Sequence, residues 1–199
     1  TGTLRYTAEA EHAYDFLMQY CLDRISGGVF WAVTYNGKPS DTTKHTYNQA
    51  FAIYALSSYY ALTKNKNALN TAMQLFYLIE EKCFDGQGYL EAFDRDWKPV
   101  RNDKLSENNV IAYRTMNTLL HIFEAYSNLY QQTNSTEVST AMIKILYIYR
   151  DRIYNPDRKR QEVFFDENYH SLIDLHSFGH DIESSWRSEE HTSELQSRS

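Results

Sequence analysis

The sequence predicts an all-α fold made of stacked helical hairpins. Five long segments carry apolar residues at spacings of three and four, short extended segments separate them in pairs, and part of the pattern recurs further along the chain. The chain has 199 residues, of which 42% are apolar, which is enough for one domain with a core. Each hairpin would need its neighbours to bury its apolar face.

The five helical segments share the period of an amphipathic helix. In the first, Ala13, Phe16 and Tyr20 fall on one face. None of the five segments contains a proline or a glycine, the residues that most often interrupt a helix. The predicted helices cover residues 8–23, 46–62, 67–83, 115–132 and 136–154.

Three short segments between the hairpins have a different character. Residues 27–33, 88–93 and 162–165 combine turn residues with brief apolar runs, which is typical of turns that lead into short extended pieces. They recur after successive helices and therefore indicate a repeated unit. One constant offset along the chain pairs Ala55 with Ala125, Ser57 with Ser127, Tyr60 with Tyr130 and Thr63 with Thr133.

Composition and charge exclude several classes of protein. The net charge of −6 and the pI near 5.6 argue against a nucleic-acid partner, which needs clustered Lys and Arg. No apolar run is long enough to predict a membrane span, and the first residues lack the layout of a signal peptide. Cys21 and Cys83 lie far apart in helical patterns, which favours free thiols. We expect a cytoplasmic protein with no nucleic-acid or membrane partner.

The aromatic content is high, at 17 Tyr, 10 Phe and 3 Trp, or 15% of the chain. Aromatic rings suit carbohydrate, because the C–H face of a sugar packs on a ring while its hydroxyls need polar neighbours. Large rings also fill helical cores. Composition alone therefore leaves a sugar site and a purely structural role open.

The densest polar cluster lies in residues 174–186, where two His, two Asp and one Glu fall within ten positions. If a helix begins near His180, Glu183 shares its face three residues later. A carboxylate beside an imidazole fixes its tautomer and raises its basicity, as a general base requires. A metal site and a structural His–Glu pair are the alternatives.

A second polar group lies on the fourth predicted helix. Asn117, His121 and Glu124 form a polar stripe on an otherwise apolar element, so they need hydrogen-bond partners or a wet cavity. Thr46 is a candidate N-cap of the second helix. Tyr47 follows it, near a helix end where a ligand could be reached.

Six strings of the sequence, in this order, resemble the cellobiose 2-epimerases within the N-acylglucosamine 2-epimerase superfamily. The resemblance extends over residues 8–186, and the last string is the most specific. The strings are GGVFW (27–31), KHTYNQAFAIYALSSYY (44–60), EAFDRDW (91–97), LSEN (105–108), MNTLLHIFEAY (116–126) and HSFGHDIESSW (176–186).

The resemblance implies a partial (α/α)6 barrel whose site lies at the mouth of the inner helix ring. It implies 2-epimerisation of the reducing-end glucose of a β-1,4-linked disaccharide, which converts cellobiose to glucosyl-mannose. A His takes the proton from carbon 2 of the opened sugar, a cis-enediol(ate) forms, and another His returns a proton to the opposite face. No cofactor and no metal are implied. The motif places the catalytic residues at His180 and Glu183, and the substrate-binding residues at Tyr47, Asn117, His121 and Trp186.

Two family residues have no match in this sequence: the Arg that stabilises the oxyanion and the second catalytic His. We therefore expect residues 1–186 to form an incomplete barrel domain of an internal fragment, and the chain by itself to be an inactive epimerase. The last residues, RSEEHTSELQSRS (187–199), contain one Leu and no aromatic residue. They look like a translated sequencing adapter, and we expect a non-native, disordered tail.

Several alternative functions remain open at this stage. Within the family, the substrate could be mannobiose or an N-acylglucosamine. A glycoside hydrolase on a similar barrel would need two carboxylic acids, for which Asp94, Glu124 and Glu183 are candidates. A non-catalytic, sugar-binding helical-repeat protein is the third class. The sequence does not indicate an oligomeric state.

Overall fold

The computed structural model describes residues 6–101, 104 and 110–186, and it confirms the predicted all-α fold of helical hairpins. The predicted LSEN string (105–108) and the predicted tail (187–199) lie outside these residues. The helices of the described residues are α1 (Thr7–Phe16), α2 (Thr46–Thr63), α3 (Lys66–Leu78), α4 (Met116–Thr133), α5 (Thr136–Ile148) and α6 (178–186).

Three of these helices do not end as α-helices. α1, α3 and α5 each continue into a wide π-helical turn, at Leu17–Cys21, Ile79–Cys83 and Tyr149–Ile153. A π turn closes its hydrogen bonds one residue further along than an α turn does. The predicted ends at residues 83 and 154 match the ends of the last two wide turns to within one residue. Hydrophobic periodicity thus found the extent of these elements but not their change of pitch.

Short strands connect the hairpins, as the sequence predicted. They form four antiparallel pairs, β1–β2, β3–β4, β5–β8 and β6–β7. Two of these pairs, β3–β4 and β5–β8, tie the start of α2 or α4 to the segment that follows the next outer helix. The strands are β1 (Ala32–Val33), β2 (Pro39–Asp41), β3 (Lys44–His45), β4 (Ala92–Phe93), β5 (Arg114–Thr115), β6 (Tyr154–Asn155), β7 (Arg160–Gln161) and β8 (Phe164–Phe165).

Helices α2 and α4 form an inner layer, with α3 and α5 packed outside them. The two inner helices are joined at their surface by Asn128, whose side-chain amide donates to the Tyr54 carbonyl (3.2 Å) and to the Ser58 hydroxyl (2.8 Å). The core between the layers is apolar, which favours this arrangement through burial of apolar surface. Its fully buried members include Ile53, Leu56, Phe76, Ile79, Leu120, Phe123 and Ile145.

The repeat seen in the sequence is also a structural repeat. Lys64 ends α2 and Asn134 ends α4, both in the left-handed conformation (φ 60° and 50°), and each N–H donates to the tyrosine carbonyl four residues earlier at 2.8 Å. The next residues, Asn65 and Ser135, cap α3 and α5 with their side-chain oxygens. The pairing of equivalent positions therefore extends to individual hydrogen bonds.

Ion pairs made by two buried cations connect each unit to the one before it. Lys44 of β3 binds Asp23 through Nζ at 3.0 Å, and Arg114 of β5 binds Asp85 through Nη2. Both carboxylates lie two residues after a wide turn. Arg95 also binds Asp23, with Nε at 2.8 Å, and its guanidinium holds the pKa of Asp23 well below its usual range. Each cation thus links one repeat to the next.

The string EAFDRDW, which resembled family members, packs against the string GGVFW. Trp97 donates from Nε1 to the Ser26 carbonyl (2.8 Å). Gly28 has φ +75°, and a Cβ there would lie 2.7 Å from the Trp97 ring and 2.8 Å from Gln49 Oε1. Gln49 in turn exchanges two hydrogen bonds with the backbone of Val29, at 2.7 and 3.0 Å. These motif residues therefore have a packing role.

The cysteines are free thiols, as predicted. Cys83 ends the second wide turn and is fully buried, and burial raises the pKa of its thiol to about 12. Cys21 ends the first wide turn and is partly exposed. Over residues 6–101 and 110–186, the structure has no helix that is both long enough and apolar enough to cross a membrane.

Candidate active site

The first two turns of α2 and of α4 meet in a cluster of three rings. The His121 ring lies 5.1 Å from the Tyr47 ring, edge-on, and 4.8 Å from the Phe51 ring, as measured between centroids. Tyr47 and Phe51 are themselves 4.7 Å apart. The structure thus brings together Tyr47 and His121, which the sequence predicted as substrate-binding residues.

The polar stripe predicted on α4 faces this cluster. His121 Nδ1 lies 3.1 Å from Glu124 Oε2, and both side chains are only about 15% exposed. Burial raises the pKa of Tyr47, and the nearby carboxylates of Glu124 and Glu183 raise it further. Carboxylates from α4 and α6 therefore act on the same phenol. The half-buried Asn117 lies one turn before His121 on α4.

A buried carboxylate fixes the start of α4. Glu91, next to β4, accepts the backbone N–H of Thr115 at 2.7 Å and the hydroxyl of Thr118 at 2.7 Å. Thr115 caps the helix by accepting the N–H of Thr118. Burial raises the pKa of Glu91 to about 7, and these hydrogen bonds act in the opposite direction. This arrangement determines where Asn117 and His121 lie.

The start of α2 differs from the prediction. Thr46 is not the N-cap: His45 occupies that position without a side-chain cap, and the Thr46 hydroxyl donates to the Leu90 carbonyl. The backbone N–H of Thr46 also donates to the carbonyl of Glu91, at 3.0 Å. The hydroxyl of Thr46 therefore bonds to another segment of the chain, because the pairing of β3 with β4 brings the Leu90 carbonyl close to it. Tyr47 therefore projects from a helix start that is anchored to β4.

Helix α6 lies against the start of α4 and contains the predicted catalytic residues. The hydroxyl of Ser184 is 3.9 Å from the sulfur of Met116, and Ser184 is buried. Glu183, its neighbour, acts electrostatically on both Tyr47 and Tyr149. Helix α6 therefore carries Glu183 toward the ring cluster of α2 and α4.

The structure gives His180 a partner different from the predicted one. Its Nδ1 lies 2.7 Å from the hydroxyl of Ser177. Within the described residues, His180 and Glu183 form no ion pair, although they lie three residues apart on one helix. The hydrogen-bond partner of His180 in the structure is therefore Ser177 and not Glu183, the residue that the sequence placed beside the imidazole.

A second histidine pair supports the start of α6. His176 Nε2 lies 2.7 Å from one carboxylate oxygen of Asp181, and the other oxygen accepts the backbone N–H of Gln161 at 3.3 Å. The His176 ring also lies 3.9 Å from the Phe178 ring. Asp181 thus ties α6 to β7. Trp186, the last predicted site residue, is 54% exposed on the same helix.

A cavity of about 350 Å³ opens beside α2. Tyr47, Asn48 and Phe51 of α2 line it together with Trp31. Its wall is mostly aromatic and apolar and includes the amide of Asn48, which suits a sugar ring and its hydroxyls. Over the residues that the structure describes, no group of three or more His, Cys, Asp or Glu side chains could hold a metal ion.

Sequence reasoning assigned no role of their own to four residues around this site: Phe51, His176, Ser177 and Asp181. The repeat contained a signal for Phe51, because the same offset that pairs Ala55 with Ala125 pairs Phe51 with His121. The other three lie in the same string as His180. Residue types alone did not indicate which histidine each carboxylate or hydroxyl would bind.

Comparisons with known proteins agree with this fold. A sequence model of the family described as N-acylglucosamine 2-epimerase (GlcNAc 2-epimerase) matches residues 2–188. A cellobiose 2-epimerase from Eubacterium cellulosolvens is 53% identical over 193 residues, covering 89% of this chain and 48% of the relative. The chain spans about half the length of the curated relatives it matches.

Two solved structures are similar over most of the described chain. A sugar epimerase from a ruminal bacterium superposes with a TM-score of 0.89 at 47% identity, covering 91% of this chain and 46% of that one. The cellobiose 2-epimerase from Bacillus thermoamylovorans B4167 gives 0.86 at 43% identity, covering 92% and 47%. These matches confirm the predicted partial (α/α)6 barrel.

Proposed function

The chain belongs to the N-acylglucosamine 2-epimerase family, and from this premise we propose that the site on α2, α4 and α6 serves 2-epimerisation of the reducing-end glucose of a β-1,4-linked disaccharide. The relatives that support cellobiose as the substrate are named cellobiose 2-epimerases. Mannobiose and N-acylglucosamine are the alternative substrates within the family.

The proposed reaction begins with the open aldehyde form of the reducing sugar. Nε2 of His180 takes the proton from carbon 2, the electron pair of that C–H bond forms the C1–C2 double bond, and the carbonyl electrons move to oxygen 1. Return of a proton to the opposite face of carbon 2 inverts its configuration. The proton beside an aldehyde becomes accessible to an imidazole only when the oxyanion is stabilised.

The observation that carries this proposal is the meeting of α6 with the ring cluster of α2 and α4. Tyr47 and His121 lie 5.1 Å apart, and Glu183, three residues after His180, acts on the same Tyr47. A sugar between these helices would have aromatic faces for its C–H groups and hydrogen-bond partners for its hydroxyls. We assign substrate binding to Tyr47, Asn117, His121 and Trp186.

Glu183 keeps a place in the proposed catalytic group, with a changed role. Because Ser177 occupies Nδ1 of His180, the Glu183 carboxylate is better suited to accept a hydrogen bond from a sugar hydroxyl near carbon 2. Such a bond would orient the C2–H bond toward Nε2, and orientation of this kind contributes strongly to rate. Its test is Glu183→Gln, which keeps the size of the side chain and removes its charge.

The experiment that tests the proposal is incubation of the chain with cellobiose in D2O. Exchange of the C2 hydrogen needs one base, whereas inversion needs a second proton donor on the other face. Since the resemblance assigns a second His and an Arg that nothing in this sequence matches, we expect slow exchange at carbon 2 without accumulation of glucosyl-mannose. His180→Ala should reduce that exchange by about 100-fold or more.

Other outcomes point to the alternative functions. Release of glucose would indicate a glycoside hydrolase. Binding of cellobiose with equal, buffer-level exchange in wild type and His180→Ala would indicate a non-catalytic sugar-binding protein. Ser185→Ala is the matched control, because Ser185 is exposed on the same helix and its hydroxyl donates to the backbone of Asp181.

A further inference from the structure

We propose that Ser177 is a positioning residue that selects the imidazole tautomer of His180. The inference rests on the proposed function, because that function makes His180 the base. In the assigned state, Nδ1 of His180 carries the proton and donates it in a hydrogen bond to Ser177 Oγ. Nε2 then has a free lone pair for the proton of carbon 2.

The local geometry of α6 supports this assignment. Ser177 Oγ lies 2.7 Å from His180 Nδ1. The Ser177 carbonyl accepts the N–H of Asp181 at 3.0 Å, so Ser177 is the residue at which the helix starts. Side chains three residues apart on a helix share a face. The helix start thus brings the hydroxyl to one particular nitrogen of the imidazole, and the position of the partner determines which nitrogen remains available.

The carboxylate closest to His180 in sequence is already engaged. Asp181 holds His176 through one oxygen at 2.7 Å and the Gln161 N–H through the other at 3.3 Å. The two histidines at the start of α6 therefore have different hydrogen-bond partners: a carboxylate for His176 and a hydroxyl for His180. This choice of partners is specific, since Asp181 is adjacent to His180 in the chain and nevertheless binds His176.

A hydroxyl partner suits a base that must release its captured proton in every turnover. The Nδ1–H to Oγ bond is the same before and after Nε2 takes the proton, so proton transfer does not require the partner to change. A carboxylate partner would favour the charged imidazolium by its own negative charge and would hold the captured proton more tightly. Ser177 fixes the tautomer without adding that charge.

The test is a direct measurement of the tautomer in the full chain. Long-range ¹H–¹⁵N spectra of ¹⁵N-labelled protein distinguish a protonated imidazole nitrogen from an unprotonated one, and His180→Gln assigns the His180 signals. We expect His180 with its proton on Nδ1 in wild type and in Ser177→Thr, which keeps the hydroxyl. In Ser177→Ala and Ser177→Gly the Nδ1–H form should fall from the major to the minor species.

The variants are chosen so that loss of folding cannot imitate the result. Gly is tolerated at a helix N-cap at little cost, so Ser177→Gly removes the hydroxyl and spares the helix. Ser185→Ala on the same helix should leave the His180 signals unchanged. A wild-type His180 protonated on Nε2, or a tautomer unaffected in both Ser177→Ala and Ser177→Gly, would overturn the proposal.

The tautomer of His180 and the exchange of hydrogen at carbon 2 are measured in separate experiments. If His180 shows the expected tautomer and its dependence on Ser177, but C2 exchange is the same in wild type and His180→Ala, the proposed function fails while the Ser177–His180 bond stands. If C2 exchange depends on His180 but the tautomer ignores Ser177, the function stands and the positioning role is wrong.

Discussion

The units α2–α3 and α4–α5 have the same scaffold but different inner surfaces. Both inner helices end in a left-handed residue, and both outer helices begin with a side-chain cap and end in a wide π-helical turn. Both inner helices are also preceded by a strand with a buried cation bound to an earlier aspartate. These shared features are the ones that hold the repeat together.

The units differ at three equivalent positions on the inner helices. The offset of the repeat pairs Tyr47 with Asn117, Phe51 with His121 and Tyr54 with Glu124. The first unit contributes three aromatic rings, and the second contributes an amide, an imidazole and a carboxylate. A sugar needs both kinds of surface. The repeat therefore fixes the backbone and leaves the inner face of each helix free to supply a different chemistry.

The largest expected effect tests the shared scaffold. Asp23→Asn leaves Lys44, a fully buried cation, without its carboxylate, and loss of one partner of a buried pair costs about 3–5 kcal/mol. Asp85→Asn should cost less, because Asp85 is 32% exposed and water can compensate. Urea unfolding measures both. Equal losses would mean that the two links are energetically alike despite their different burial.

The next effect concerns Glu91, whose backbone carbonyl accepts the first N–H of α2, as that of Val163 does for α4. Burial raises the pKa of Glu91 from its ordinary 4.5 to about 7. Its stabilising contribution is therefore complete below pH 4.5 and is lost as the pH rises through 7. The loss is about 3 kcal/mol, and Glu91→Gln should remove this pH dependence.

The control for Glu91 is Glu81→Gln, at an exposed position on the wide turn after α3. This variant should keep the wild-type dependence of unfolding free energy on pH. Should Glu91→Gln also keep it, the slope between pH 4.5 and 7 must arise from another group.

A smaller effect tests the packing of one unit on the next. Gly28 and Gly86 both have positive φ, at 75° and 93°, so an alanine at either position is strained. Only at Gly28 would the added Cβ meet Trp97 and Gln49, whereas nothing lies within 4 Å at Gly86. Gly28→Ala should therefore cost roughly 1–3 kcal/mol more than Gly86→Ala in thermal or urea unfolding. A difference near zero between the two unfolding free energies would show that the Trp97 side chain can move aside at no cost.

The smallest effect concerns the caps of the outer helices. Asn65 accepts two backbone N–H groups at 2.9 and 3.3 Å, and Ser135 accepts one at 3.4 Å. Replacement of either by alanine should cost about 1 kcal/mol, slightly more at Asn65. Unfolding free energies of the two variants check this. A cost confined to one unit would contradict the equivalence of the two scaffolds.

The helices could be predicted from the sequence because their apolar periodicity is strong and uninterrupted. The ends of α2 and α4 were found to within about one residue. The wide turns after α1, α3 and α5 were not, because the spacing of apolar residues does not distinguish a short π turn from the α turns that precede it. The role of Thr46 was also mistaken, because its partner, the Leu90 carbonyl, arrives through strand pairing from a distant part of the chain.

The sequence predicted which residues belong to the candidate site better than it predicted which of them contact each other. Tyr47 and His121 do meet, and the polar stripe on α4 does face them. The partner of His180 was mistaken, because helix spacing allows both Ser177 and Glu183 to share its face. Which of the two binds depends on the geometry of the helix start, where Ser177 precedes the first full turn.

The most direct test is the rate of C2 hydrogen exchange of cellobiose in D2O by the variant His121→Phe, which gives α4 the residue found at the equivalent position of α2. We expect this variant to unfold within about 1 kcal/mol of wild type, because Phe51 shows that the scaffold holds such a ring. Its exchange rate should fall about ten-fold, because a partly buried hydrogen-bonding group is lost and Glu124 loses its contact with the imidazole. A folded His121→Phe chain that exchanges at the wild-type rate would contradict the claim that the inner face of α4 contacts the sugar.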